Sequence, residues 1–80
     1  MLSCAIHDYI EIACLYHYRI QITLIDSETI QGEAMTTRIS TNKKEYLLIQ
    51  HASAQQEIEL DNIKSMQALT HNPHFDKIDF

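Results

Sequence analysis

From Cys4 to His17, the stretch CAIHDYIEIACLYH, apolar residues recur with a helical period. Ile6, Ile10, Ala13 and His17 fall within about 40° of Ile6 on a helical wheel, with Tyr9 and Tyr16 flanking them. This face is expected to be buried. Asp8, Glu11 and Leu15 lie roughly opposite, so the outer side is predicted to be an acidic strip with one apolar knob and nothing basic. So short a helix is marginal alone and needs a surface to pack on.

After the helix the period changes to two. In Arg19 to Leu24, Ile20, Ile22 and Leu24 share one face, which predicts a half-buried strand. Asp26-Ser27-Glu28 reads as a turn, and Thr29 to Thr36 as the returning strand, with Ile30, Gly32 and Ala34 inward. Gly32, the single glycine of the chain, falls in mid-strand. There it predicts a hard bend or the close approach of another backbone. Thr37 to Lys44, TRISTNKK, reads as an exposed loop or hairpin tip. Glu45 to Gln50 is apolar on both faces and suits a central strand covered by the helix. Its expected neighbour is Glu57 to Leu60, reached through a turn near Ser53 and Ala54, with Ile58 and Leu60 inward. Asp61-Asn62 predicts a turn or single helical turn, Ile63 to Leu69 a fifth strand, and residues 70–80 a loosely held tail. One helix and five short strands describe a mainly β fold, a small, strongly bent antiparallel barrel, which would also remove exposed edges. Sm-like and oligonucleotide-binding barrels both fit, and the leading helix favours the Sm-like one. A single domain over residues 1–69 is expected.

Eighty residues can bury only a thin core, which makes a deep catalytic cleft improbable. No apolar run approaches the roughly 18 residues of a membrane helix, and the N-terminus lacks the pattern of a signal peptide. A cytoplasmic protein is therefore expected, with no membrane association. Cys4 and Cys14, about 15 Å apart along a helix, are too distant for a disulfide. Eleven acids against six bases give a net charge of -5, which disfavours broad phosphate binding and points to a basic partner. Cys4, His7, Cys14 and His17 have a spacing suggestive of zinc, but a continuous helix would string them over several turns. His71 and His74, either side of Pro73, are expected in solvent. No nucleophile elbow, phosphate loop or catalytic carboxylate pair is present, so neither an enzyme nor a cofactor is expected. Asp8-x-x-Glu11 also fits a capping box for a helix beginning at Tyr9.

Cys4, Asp8, Tyr9, Glu11, Ala13 and Cys14, followed by five strands carrying Glu45-Tyr46 and Leu60-Asp61-Asn62-Ile63, resemble the Rho-binding antiterminator (Rof/YaeO) family. The resemblance runs from about Ser3 to Leu69. It implies an Sm-like bacterial cytosolic protein that binds the N-terminal RNA-binding domain of termination factor Rho, blocks RNA loading and reduces Rho-dependent termination. The family's Rho-facing acids match Asp8 and Glu11, and a second contact region matches Asn42 and Lys43. His7 stands where an aromatic residue, usually Tyr, is expected at a partner contact, and Asp26-Ser27-Glu28 replaces a common Asp-Gly turn. The acidic strip with Leu15 beside it complements a basic groove. The expected protein competes with RNA for Rho and is a monomer. An Sm-like RNA-binding module using Arg38, Lys43 and Lys44 is the alternative, disfavoured by two Phe and no Trp for stacking. A small metal-binding regulator is a remote third.

Overall fold

The computed structural model describes residues 3–80. Met1 and Leu2, where the expected domain begins, lie outside the described residues. Helix α1 spans Cys4–Leu15 and is capped by Ser3, whose Oγ accepts from the Ile6 backbone N–H at 3.2 Å. That replaces the capping box expected at Asp8: Asp8 sits in mid-helix, where no free N–H remains to be capped.

The helix also stops earlier than its apolar period. Tyr18 N–H donates to Ala13 O at 2.9 Å and His17 N–H to Cys14 O at 3.2 Å, with His17 at φ 52°. These paired bonds around a left-handed residue form a Schellman termination. His17, placed on the buried face by the wheel, is instead exposed in the turn, and its Nδ1 donates to Ala34 O at 3.0 Å. Tyr18 takes its place in the core beside Ala13.

Six antiparallel strands follow: β1 (Arg19–Leu24), β2 (Thr29–Ile39), β3 (Glu45–His51), β4 (Ala54–Glu59), β5 (Ile63–Ala68) and β6 (Lys77–Asp79), in the order β4-β3-β2-β1-β5-β6. A 3-10 turn at Leu60–Asn62 joins β4 to β5. Ile20, Ile22, Ala34, Leu47, Ile49, Ile58, Ile63 and Met66 face inward from the sheet, and Ile10 and Ala13 close the core from the helix. Ladder hydrogen bonding between β4 and β5 or β6, which would close a barrel, is not among the pairings of the described residues.

Three expectations are revised. Thr37–Ile39 continue β2 rather than open a loop, because their backbones pair with Leu47, Tyr46 and Glu45 although their side chains face water. β3 is an interior strand as expected, between β4 and β2, but α1 packs on β2 rather than on β3. Residues 70–80 are docked and add a sixth strand. The Asn72 side chain organises the segment. Its Oδ1 accepts from His74 and Phe75 N–H at 2.8 and 3.1 Å, and its amide donates to Thr70 O and Phe75 O at 2.9 and 3.2 Å. Phe75 is thereby inserted into the core, edge-on to Tyr9 at 5.5 Å.

Gly32 lies within β2, buried against β3. A Cβ there would fall on Ile49 Cγ2 and 2.8 Å from Gln50 O, so the two strands approach too closely for any side chain. Bulges between Ala34 and Thr36 and between Thr23 and Leu24 add to the curvature.

Candidate partner-binding face

Asp8, Glu11, Ile12 and Leu15 follow i, i+3, i+4, i+7 spacing and line a shallow open depression of about 500 Å³ on the outer face of α1. Burying Ile10 and Ala13 against the sheet turns Asp8, Glu11 and Leu15 outward, while Ile12 is half-buried against the core. Leu15 is 71% exposed, an apolar side chain that the core does not use.

Asp8 and Glu11 share this face without a basic partner, a condition also met by Asp26, Glu28, Glu33, Asp61 and Asp76 among the described residues. Glu57 pairs with Arg38, Glu59 with Lys44 at 3.2 Å, and Glu45 with His7 at 3.2 Å, whereas Asp8 and Glu11 have no Lys, Arg or His within ion-pair reach among the described residues. Their negative charge is therefore not offset by an ion pair among the described residues. Its reach shows at Cys14: burial first, and the charge of Glu11 second, push this thiol up to about 11. A half-buried thiol held protonated in this way is a packing group rather than a nucleophile. Cys4 is also a free thiol, exposed at the start of the helix.

His7 does not project freely toward a partner. Its Nδ1 lies 3.1 Å from Ser3 O and its Nε2 3.2 Å from the Glu45 carboxylate, bracing the helix against the first residue of β3. That brace ties α1 to the tip end of the β2–β3 hairpin. At the hairpin tip the Asn42 carboxamide oxygen is turned inward, accepting from Ser40 Oγ–H and, at 3.4 Å, from Lys44 N–H. Lys43 takes a left-handed conformation at φ 65° and is exposed.

The three cations of the RNA-binding alternative are not equivalent. Arg38 bonds Glu57 and lies 4.8 Å from the Tyr46 ring centre, and Lys44 bonds Glu59, so each is held protonated by its acid. Only Lys43 of the three has no acid partner among the described residues. Cys4, His7, Cys14 and His17 are not gathered: among the described residues no three Cys, His, Asp or Glu side chains could hold one metal ion.

Sequence reasoning brought Asp8, Glu11 and Leu15 together correctly as one helix face. It missed Ile12, although i+4 spacing from Asp8 was there to find it. It also missed a stack of Tyr16 on His74, centroids 5.9 Å apart, which joins residues too far apart in the chain for any periodicity to show.

The outer face of α1 is thus acidic, exposed and shallow rather than clefted. The whole chain, residues 1–80, matches the family model described as modulator of Rho-dependent transcription termination (ROF). The chain belongs to this family of non-enzymatic bacterial regulators. Protein rof of Escherichia coli (strain K12) is 33% identical over 64 residues, which cover 80% of this chain and 75% of that protein. Protein rof of Shigella flexneri matches to the same extent. The fold is similar to a solved structure, YaeO bound to magnesium from Vibrio cholerae O395, with a TM-score of 0.85, 36% identity, and coverage of 91% of this chain and 95% of that one. Among the described residues no helix is long and apolar enough to cross a membrane.

Proposed function

We propose that this protein reduces Rho-dependent termination by occupancy, binding the N-terminal RNA-binding domain of Rho and blocking the loading of RNA. The observation that carries this reading is the pair of acids, Asp8 and Glu11, unpaired among the described residues, on an exposed helix face that also presents Leu15. Cations that hold RNA phosphates would be met there by carboxylates fixed on a rigid element, with no catalytic step. Lys43 at the hairpin tip supplies a second contact, and Asn42 shapes the turn that presents it. His7 serves by bracing the two regions against each other. The protein works as a cytoplasmic monomer, and its bent sheet is that of an Sm-like barrel.

The test is titration of Rho with the wild type and with the Asp8→Asn, Glu11→Gln double variant, each melted in parallel. Carboxamides keep the shape and remove the charge. Loss of one partner from a buried interfacial pair costs roughly 2 to 5 kcal/mol, and from an exposed rim pair about 0 to 1 kcal/mol, so the size of the loss locates each acid. Added salt is expected to weaken binding, since opposite-charge steering is screened over about 8 to 10 Å. Equal affinity of both proteins, with equal melting, would remove the acidic face from the mechanism. Direct RNA binding by the free protein would favour the Sm-like RNA-binding module instead.

A further inference from the structure

Beyond the acids, α1 ends on an exposed aromatic. Tyr16 is 56% exposed, yet its ring packs against two others: Tyr18, itself buried, stacks on it with centroids 5.6 Å apart and planes 19° apart, and His74 at 5.9 Å and 14°. An exposed tyrosine would ordinarily sample several rotamers, and stacking on two rings removes much of that freedom before any partner arrives. His74 is positioned in turn by its backbone bond to Asn72 Oδ1 and by the burial of its neighbour Phe75 against Tyr9. Tyr16, the C-cap residue, lies four residues beyond Ile12 and directly after Leu15, both of which line the acidic depression, so it stands at the C-terminal end of that face.

We propose that Tyr16 and His74 form the second half of the partner face and imitate stacked bases where Asp8 and Glu11 imitate phosphates. The inference rests on the proposed function and narrows it: the partner surface is one that binds single-stranded RNA. Such surfaces carry two kinds of contact, cations that follow the backbone and aromatic or guanidinium planes on which bases stack. Carboxylates alone answer only the first. A rigid pair of near-parallel rings beside them answers the second, and it recruits the C-terminal segment into recognition.

The experiment is titration of Rho with Tyr16→Phe, Tyr16→Leu and His74→Ala, alongside the Asp8→Asn, Glu11→Gln variant, each also tested for displacement of single-stranded RNA from Rho. Tyr16→Phe keeps the plane and is expected to bind as the wild type. Tyr16→Leu keeps apolar bulk without the plane and is expected to bind roughly 5- to 150-fold more weakly, the range spanned by loss of one stacking partner. His74→Ala, an exposed truncation that leaves the core untouched, is expected to weaken binding in the same direction with little change in melting. Tyr16→Leu and His74→Ala binding as tightly as wild type, while the acid variant weakens, would overturn this inference and leave the proposed function standing. Equal losses in Tyr16→Phe and Tyr16→Leu would overturn it too, because the hydroxyl and not the ring would be responsible. If no variant weakens binding, acids included, the face itself is misassigned.

Discussion

Replacing Gly32 tests the central geometric feature of the sheet. A Cβ at this position would meet Ile49 Cγ2 and come within 2.8 Å of Gln50 O and 3.3 Å of Gln50 C. Neither neighbour can give way cheaply. Ile49 is fully buried, and Gln50 lies in β3, laddered to Glu33 on one side and Gln55 on the other. Gly32→Ala therefore has to push β2 and β3 apart, at a cost of about 1 to 3 kcal/mol for forced overpacking. The lower chain entropy of alanine in the unfolded state returns only about 0.4 to 1 kcal/mol, so the net sign is destabilising. Gly32→Val adds two further methyl groups and is expected to reach or exceed the top of that range. At about 4 to 8 °C per kcal/mol for a domain of this size, thermal unfolding followed by circular dichroism should show a fall of roughly 5 to 20 °C. Total stability at this length is only about 4 to 12 kcal/mol, so the valine variant approaches the threshold of folding. Adding Ile49→Ala to Gly32→Ala should give a combined loss smaller than the sum of the single losses, because the second change removes one of the two clashes. A Gly32→Ala protein melting within about 2 °C of wild type would refute the close approach.

Three other outcomes are expected. Ser3→Ala should cost about 0.5 to 2 kcal/mol through loss of the helix cap, whereas Asp8→Asn should leave melting unchanged, and the reverse result would restore the capping box at Asp8. Phe75→Ala should cost about 3 to 5 kcal/mol and release β6, seen as fast amide exchange at Ile78 and Phe80; unchanged protection would mean that the segment is held without its anchor. With a thiol reagent near neutral pH, exposed Cys4 should react promptly and Cys14 only on unfolding. Because folding raises the Cys14 pKa from the ordinary 9.0 to about 11, its contribution to stability is complete below pH 9.0 and is lost as pH rises through about 11, so urea midpoints should fall over that interval.

Much of the molecule was legible in one dimension. Period-two alternation placed β1 at its observed bounds, and the inward sets Ile20 and Ile22, Gly32 and Ala34, and Ile58 with Leu60 are buried as expected. These features follow from local physics, because side-chain direction in a strand or helix depends only on residue spacing once one face must be apolar. The same reasoning exposed Asp8, Glu11 and Leu15 together. Gly32 was informative for a similar reason: a glycine in mid-strand has little to recommend it except space.

What escaped the sequence depended on partners distant along the chain. The end of α1 at Leu15 rather than His17 is set by Tyr18 entering the core and by Ala34 O accepting from the His17 ring. Thr37–Ile39 joined β2 because β3 offered backbone partners, which side-chain polarity does not report. Residues 70–80 have no period because a single asparagine, bonding four backbone groups, holds them in place of a repeating pattern. The unpaired charge of the helix face is also a tertiary fact. Composition counts eleven acids and six bases, but only the sheet decides that Glu57 and Glu59 meet Arg38 and Lys44 while Asp8 and Glu11 meet no base among the described residues. Periodic burial is written locally in residue order, whereas charge pairing and strand docking depend on which distant segments the folded chain brings within a few ångströms.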